Sequence, residues 1–224
     1  MKLYMHPVSM TTRPVRLFIA ESKIPVEEVF VDLMTGAHLQ PPYSSVNPNC
    51  LVPMIEDDGF RLTESSAILK YLADKVGSPA YPKDLKARAR VNERMDWINT
   101  QMCRDFAYGY VYPQIFPFHK RRSDEAQDAT LAWGKERAQG WLKVLDTHIL
   151  GPKNAYLCGD SITIADYFGA PFVALGHVLR SDFAAYPNVK RWLGRMQGLP
   201  SWKKVNETID GFAASLKDAP LQPI

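Results

Sequence analysis

The stretch Gly77-Ser78-Pro79-Ala80-Tyr81-Pro82-Lys83-Asp84 separates two different hydrophobic periodicities. That change constrains the fold more than any other feature of the chain. Two prolines, a glycine and a serine without a repeat read as a linker at 78–84. Before it, strand and helix signals alternate. After it, every periodic segment steps by three or four. A chain of 224 residues is long enough for one large domain or two small ones with a sizeable core. The expected division is therefore 1–77 and 85–224.

Within 1–77, Lys2–Met5 predicts a short strand and Pro7–Thr12 a loop. Pro14 suits the first turn of a helix, where its missing N–H is not needed. Val15, Leu17, Phe18 and Ile19 carry that helix to about Ser22, and Pro25 stops it. VEEVFVDL (26–33) predicts a strand, and TGAHLQPPYSSVNP an irregular segment. VPMIEDDGFRLT predicts a hairpin turning at Asp58-Gly59. ESSAILKYLADKV predicts a helix, with Ile68, Leu72 and Val76 four apart and Gly77 closing it. The order β-α-β-β-β-α allows a parallel βαβ unit followed by an antiparallel hairpin. A mixed thioredoxin-like α/β fold matches it best.

Beyond the linker, Val91, Met95, Ile98, Met102 and Phe106 define one helical face. Leu131, Ala138, Leu142, Leu145 and Ile149 define a second, and Ile164, Phe168, Phe172, Leu175 and Leu179 a third. Trp202, Val205, Ile209, Phe212 and Leu216 define the last, with Ser201 as its expected N-cap. An all-helical C-terminal domain of five or six helices follows. Pro171 predicts a kink or an early break in the third. The tail KDAPLQPI is expected to be loose.

A net charge of +3 without a dense Lys/Arg stripe gives no expectation of nucleic-acid binding. The one basic run, His119-Lys120-Arg121-Arg122, reads as a solvated loop after a helix. Three cysteines, none in a Cys-x-x-Cys pair, favour a reducing compartment. Five scattered histidines lack ligand spacing, so no metal is expected. No run resembles a signal peptide or a membrane span. The expectation is a cytoplasmic protein without a membrane partner.

Two features near the middle of 1–77 suggest a ligand. A proline at the start of a strand, as in Leu51-Val52-Pro53, cannot donate to the ladder. A cis Val52-Pro53 bond would expose the Val52 N–H and C=O, where an extended peptide could pair antiparallel. A plain strand start fits equally well. Thr63-Glu64-Ser65-Ser66 begin a helix, whose free N–H groups and positive end welcome a carboxylate while Glu64 accepts from an ammonium. Alone, these residues read more simply as a cap. Together, the two features describe a ligand with a peptide middle and an amino-acid head, and glutathione is such a ligand.

VNPNCLVPMIEDDGFRLTESSAILKYLADK strongly resembles the N-terminal domain of cytosolic glutathione transferases, with their Asn-Pro, Val-Pro, Leu-x-Glu-Ser-x-Ala-Ile and Tyr-Leu pattern. VDLMTGAHL and YPKDLKARARVNERMDW look most like the theta class and its bacterial relatives. GDSITIADYFGAPFVAL resembles the family's capping motif, with Thr163 as N-cap and Asp166 returning a bond. The resemblance covers nearly the whole chain.

It implies a glutathione transferase: glutathione is the co-substrate, no metal is needed, and the product joins glutathione to an apolar electrophile. A free thiol has a pKa of about 8.5, so a group is needed to hold the thiolate. Ser9, with Arg13 four residues on, matches the family's catalytic serine, and Thr11 or Thr12 is next. Tyr4 lies too early. His38 would reach the glycine carboxylate, Leu51 and Val52 the cysteinyl part, and Glu64 with Ser65 the γ-glutamyl head. A lysine that theta relatives often carry before Val-Pro is missing in Asn49-Cys50-Leu51. His38 or Arg104 are the candidates to compensate. Cys50 also admits a redox reading, though a free cysteine is more often a small buried hydrophobe.

RDFAYGYVYPQIFPFHKRR (104–122) is unusually aromatic, and its aromatics fall on more than one helical face. An apolar electrophile site among them is expected in the helical domain. The resemblance also implies a homodimer. A glutathione-binding module of the same fold without turnover is the alternative reading. Thioredoxin-type disulfide exchange is disfavoured by the missing Cys-x-x-Cys.

Overall fold

The computed structural model describes residues 1–224. Four strands, β1 (Lys2–Met5), β2 (Glu27–Phe30), β3 (Met54–Asp57) and β4 (Phe60–Leu62), form one sheet in the order β2-β1-β3-β4. β1 and β2 run parallel across α1 (Thr12–Glu21), as a βαβ crossover requires. β3 is antiparallel to both β1 and β4. Leu3 and Ile55 face each other on the buried side of the sheet. β2 is shorter than the expected strand over 26–33. Its glutamates Glu27 and Glu28 are exposed at the sheet edge.

The β3–β4 hairpin turns on Asp58 and Gly59, with φ of +49° and +85°. Positive φ at both central residues suits the right-handed twist of the strands. After the short helix α2 (Tyr43–Val46), α3 (Ser65–Lys75) ends at Gly77, whose φ of +63° lets the Ser78 N–H return to the Ala73 carbonyl at 2.8 Å.

The second part is helical throughout. α4 (Leu85–Trp97) continues without a break into a π-helical segment, Ile98–Val111, and then α5 (Tyr112–Ile115). α6 (Asp124–Val144) likewise continues as a π-helical segment to Leu150. α7 (Ile164–Val173), α8 (Pro187–Gln197) and α9 (Trp202–Ser215) complete it. Asp84 and Ser123 cap α4 and α6 by accepting from the N–H groups of Ala87 and Ala126. The first three expected faces are buried, as are Trp202, Val205 and Ile209 of the last. Residues of both parts join one continuous core. Where α6 crosses the π-helical segment, a Cβ on Gly134 would lie 2.4 Å from the Gly109 carbonyl oxygen, so the two backbones touch.

Two local expectations are corrected. The tail is tied down: the Tyr110 hydroxyl lies within hydrogen-bond reach of the Gln222 and Pro223 carbonyls, and the Arg180 fork donates to those of Lys217 and Ala219. Ser201 makes no side-chain cap; its backbone N–H instead donates to Glu21 at 2.7 Å, joining the start of α9 to the end of α1. The early break expected near Pro171 is present: α7 keeps Pro171 inside but stops at Val173, where a 3-10 turn, Ala174–Leu179, takes over the apolar stepping. The capping box of Thr163 and Asp166 is present, and Asp166 also accepts from Leu157 N–H and Trp192 Nε1.

Candidate active site

A cleft of about 650 Å³ lies between the sheet-bearing part and the helical part. Its floor comes from the β1–α1 loop, and one wall from Leu33–Leu39 with Cys50–Val52. The other wall is built by Tyr108, Tyr112, Phe116, Phe118 and His119. A smaller cavity of about 150 Å³ adjoins it, lined among others by Asn49, Thr63, Glu64 and Ser65. Thr11, Leu51, Val52 and Tyr108 line both cavities, so they mark the boundary between them.

Ser9 sits on the floor just before α1. The Thr12 N–H donates to its Oγ at 3.3 Å and the Arg13 N–H to its carbonyl at 3.1 Å. Ser9, rather than a threonine, thus takes up the first free donors of α1. Its Oγ lies 2.9 Å from Thr11 Oγ1, and Thr11 in turn donates to the Val52 carbonyl at 2.8 Å. With the Thr11 proton committed there, the Ser9 hydroxyl is the donor of the pair. Thr12 is fully buried and its Oγ1 has no partner. Tyr4 lines neither cavity and packs its ring 5.8 Å from that of Tyr43.

The Val52-Pro53 bond is cis. The Leu51 carbonyl accepts from the Tyr43 hydroxyl and, at 2.7 Å, from Asn47 Nδ2. That pins the Leu51–Val52 peptide plane, so the Val52 N–H must point the opposite way. It has no backbone partner. The Val52 carbonyl keeps a second lone pair besides the one Thr11 uses. Leu51 itself is 63% exposed at the mouth.

Glu64 precedes α3 with φ +64° and ψ +110°, outside the usual regions for a residue with a side chain. Its carboxylate makes no ion pair, and Ser65 behind it is buried. His38 stands on a 3-10 turn, Ala37–Leu39, and lines the larger cleft with a buried Nδ1 that has no partner. The six residues singled out from the sequence, Ser9, His38, Leu51, Val52, Glu64 and Ser65, therefore surround two adjoining cavities. Arg104 does not join them: it pairs with Asp105 at 2.7 Å and faces a separate groove beside Trp133. Cys50 lines the cleft half-buried, unlike Cys103, whose thiol burial pushes up to about 12.

The aromatic wall divides in a way the sequence did not show. Phe106 and Tyr110 are buried in the core, while Tyr108 and Tyr112 face the cleft. Desolvation pushes the Tyr108 hydroxyl up to about 12, with Cys103 and Glu64 adding to it. Phe116 stacks between Phe118 and Phe212, at 5.3 and 5.5 Å. The solvated-loop reading of 119–122 holds for Lys120 and Arg122, which are exposed, and fails for His119, which turns into the cleft. Met10, Leu33, Met34 and Leu39 were also missed. They sit in loops without a period, where only the tertiary structure selects them.

Arg13 fixes the floor to the helical part. It is 1% exposed, and donates to Asn206 Oδ1 at 2.7 Å and to the Pro171 carbonyl at 3.2 Å. Burial lowers its pKa to about 10, so it remains charged at neutral pH. A positive charge in the first turn of α1 adds to the field at its start.

Residues 1–74 match the model of the glutathione S-transferase N-terminal domain and residues 94–200 that of the C-terminal domain. Glutathione S-transferase theta-1 of Homo sapiens is 36% identical over 202 residues, 88% of this chain and 82% of that protein. The theta-1 enzyme of Mus musculus is 31% identical over 98% of this chain and 91% of its own. Among solved structures, human glutathione transferase theta-2 in complex with glutathione superposes with a TM-score of 0.85 at 28% identity, covering 98% and 92% of the two chains. A delta-class glutathione transferase of Nilaparvata lugens gives 0.82 at 31% identity, covering 96% and 98%. With both domain models matched across the same two-part fold that builds the cleft, the chain belongs to the glutathione S-transferase family.

Proposed function

We propose that this glutathione transferase holds the thiolate of glutathione at Ser9 and adds it to an apolar electrophile carried by the aromatic wall. The observation that carries the reading is the unpartnered Val52 N–H beside a Ser9 hydroxyl that is free to turn from Thr11. An extended tripeptide pairs its cysteinyl unit with Val52 and brings its sulfur over the start of α1. There a hydroxyl donor and the helix end both favour the charged sulfur. Glu64 takes the γ-glutamyl ammonium, and the Ser65 N–H with its hydroxyl takes the adjacent carboxylate. His38 faces the glycine end.

The electrophile meets the thiolate across the same cleft, so that proximity supplies much of the rate. An apolar rim of Met34, Leu39, Leu51 and Phe118, all exposed, favours lipophilic compounds. The protein acts as a homodimer in a reducing, cytoplasmic setting consistent with its three free cysteines, and the reaction serves detoxification.

The test is a pH titration of the ultraviolet thiolate absorbance of bound glutathione, in the wild type and in Ser9→Ala. The expected result is a lowered thiol pKa that rises by about one to two units in the variant, since a hydrogen bond to a charged group contributes about 1.5–3 kcal/mol. Glutathione bound without any thiolate signal would instead favour a binding module without turnover.

A further inference from the structure

We propose that Asp210 on α9 is the counter-ion of the buried Arg13, joined to it through solvent held in a small polar cavity, and that it limits how strongly Arg13 favours the glutathione thiolate. The proposal rests on the reading that the thiolate lies at the start of α1. It adds a residue outside the cleft that acts on the thiolate through Arg13.

A cavity of about 40 Å³, which shares no residue with the cleft, is lined by Arg13, His177, Gln197, Asn206 and Asp210 among apolar neighbours. It has room for at least one water molecule, and the polar lining that a buried water needs. Two of the three guanidinium nitrogens of Arg13 are used: Nη1 donates to Asn206 Oδ1 and Nη2 to the Pro171 carbonyl. Its Nε is buried without a partner in the protein. No carboxylate lies within ion-pair distance of Arg13 either. A buried cation without a partner charge and a buried donor without an acceptor are both costly. Water in the cavity that accepts from Nε and donates to an acid removes both costs.

Asp210 is that acid. The other polar groups of the cavity are engaged. Asn206 Nδ2 donates to the Trp202 carbonyl, and the His177 ring is held between the Ser181 carbonyl and the Gln197 amide. Asp210 makes no ion pair and stands exposed at the rim. Partial burial raises its pKa, and Arg13 first and His177 second pull it back. An exposed carboxyl facing a guanidinium is ionised at neutral pH. Tyr112 also faces Arg13, but burial raises its pKa, so it brings no charge at neutral pH.

The Arg13 N–H donates to the Ser9 carbonyl at 3.1 Å, so the cation belongs to the turn where the thiolate would lie. The bonds to Asn206 and Pro171 hold the guanidinium in place whether or not Asp210 is charged. Removing the Asp210 charge therefore changes the field at the start of α1 rather than its geometry. With less of the Arg13 charge cancelled, the bound thiol ionises at lower pH.

The experiment titrates the ultraviolet thiolate absorbance of bound glutathione in wild type, Asp210→Asn, Asp210→Glu and Glu207→Gln. In Asp210→Asn the thiol pKa is expected to fall by about 0.3 units, which is about twofold more thiolate at any pH below it. Asp210→Glu keeps the wild-type value. Glu207, exposed on the same helix but not in the cavity, is the control, and its change to glutamine has no effect. No fall in Asp210→Asn overturns the proposal, as does an equal fall in Glu207→Gln, which would mean that any charge on α9 serves. A rise in Asp210→Asn also overturns it, since Asp210 would then hold position and not charge. Glutathione bound by wild type with an unlowered thiol pKa overturns the thiolate reading as well. A high-resolution crystal structure is expected to show water within hydrogen-bond reach of both Arg13 Nε and the Asp210 carboxylate. An anion in its place, or no solvent there, overturns the bridge.

Discussion

The Thr11 hydroxyl donates to the Val52 carbonyl oxygen at 2.8 Å, joining the start of α1 to a turn 41 residues later in the chain. That bond sets the distance between the Ser9 hydroxyl and the Val52 N–H, the two donors that a thiol-bearing peptide would meet. Replacing Thr11 by valine removes it without changing side-chain size. Stability is expected to fall by about 1 kcal/mol and KM for glutathione to rise several-fold. The thiol pKa stays low, because Ser9 loses its competing acceptor. A thiol pKa restored in Thr11→Val but not in Ser9→Ala would transfer the role to Thr11.

Asp166 accepts from the Thr163 N–H and hydroxyl, the Leu157 N–H and Trp192 Nε1, all between 2.8 and 2.9 Å. Asp166→Ala leaves buried donors without partners and removes half of a cap. A loss of about 3–5 kcal/mol in denaturant unfolding is expected, against about 1 kcal/mol for Thr163→Ala. Equal effects of the two changes would show that the cap alone matters.

Gly134 lies against the backbone of Gly109, so neither partner can move aside as a side chain would. Gly134→Ala should separate α6 from the π-helical segment and cost about 1–3 kcal/mol, despite alanine's better helix propensity. Gly140, on the same helix with open space around it, is the control: Gly140→Ala is expected to stabilise. Thermal unfolding of both variants separates packing from propensity.

Asp57 accepts from Lys75 and from the Tyr71 hydroxyl, and these bonds hold its carboxyl below the ordinary carboxylate pKa. A depressed folded-state pKa contributes stability above the unfolded value of about 3.9, and that stability is lost as pH falls through the folded value. The stability difference between wild type and Asp57→Asn should therefore be constant above about pH 5 and shrink below about pH 4. A difference that persists undiminished to the lowest pH at which the protein folds would contradict the assignment.

Much of this protein is legible from local chemistry. The alternation before Gly77 and the stepping by three and four after Asp84 depend on which face of each element meets water, and burial follows them closely at Leu3, Val91, Met95 and Phe168. The Asp58-Gly59 turn, the glycine stop at Gly77 and the Thr163–Asp166 box need only a few adjacent residues, so their sequence determines them. The residues proposed to meet glutathione stand out in the sequence because their motifs are backbone devices, a proline turn and a helix start, and they line the two adjoining cavities.

Which aromatics form the wall of the cleft was not readable, and the reason is geometric. Tyr108 and Tyr110 lie in a π-helical segment, where the turn is wider than 3.6 residues and the apolar face drifts around the axis. Spacing then no longer tells which ring is core and which is cleft. His119 looked like the first residue of a charged loop until the turn at Pro117 folded it among rings distant in phase. The anchored tail likewise depends on Arg180 and Tyr110, at least 36 residues earlier, meeting its carbonyls. Local sequence suffices for the elements, most of their caps and the backbone turns at Val52-Pro53 and Glu64, because those forces act within a few residues. Which side chains share the cleft depends on how separate elements pack, and no local pattern records that.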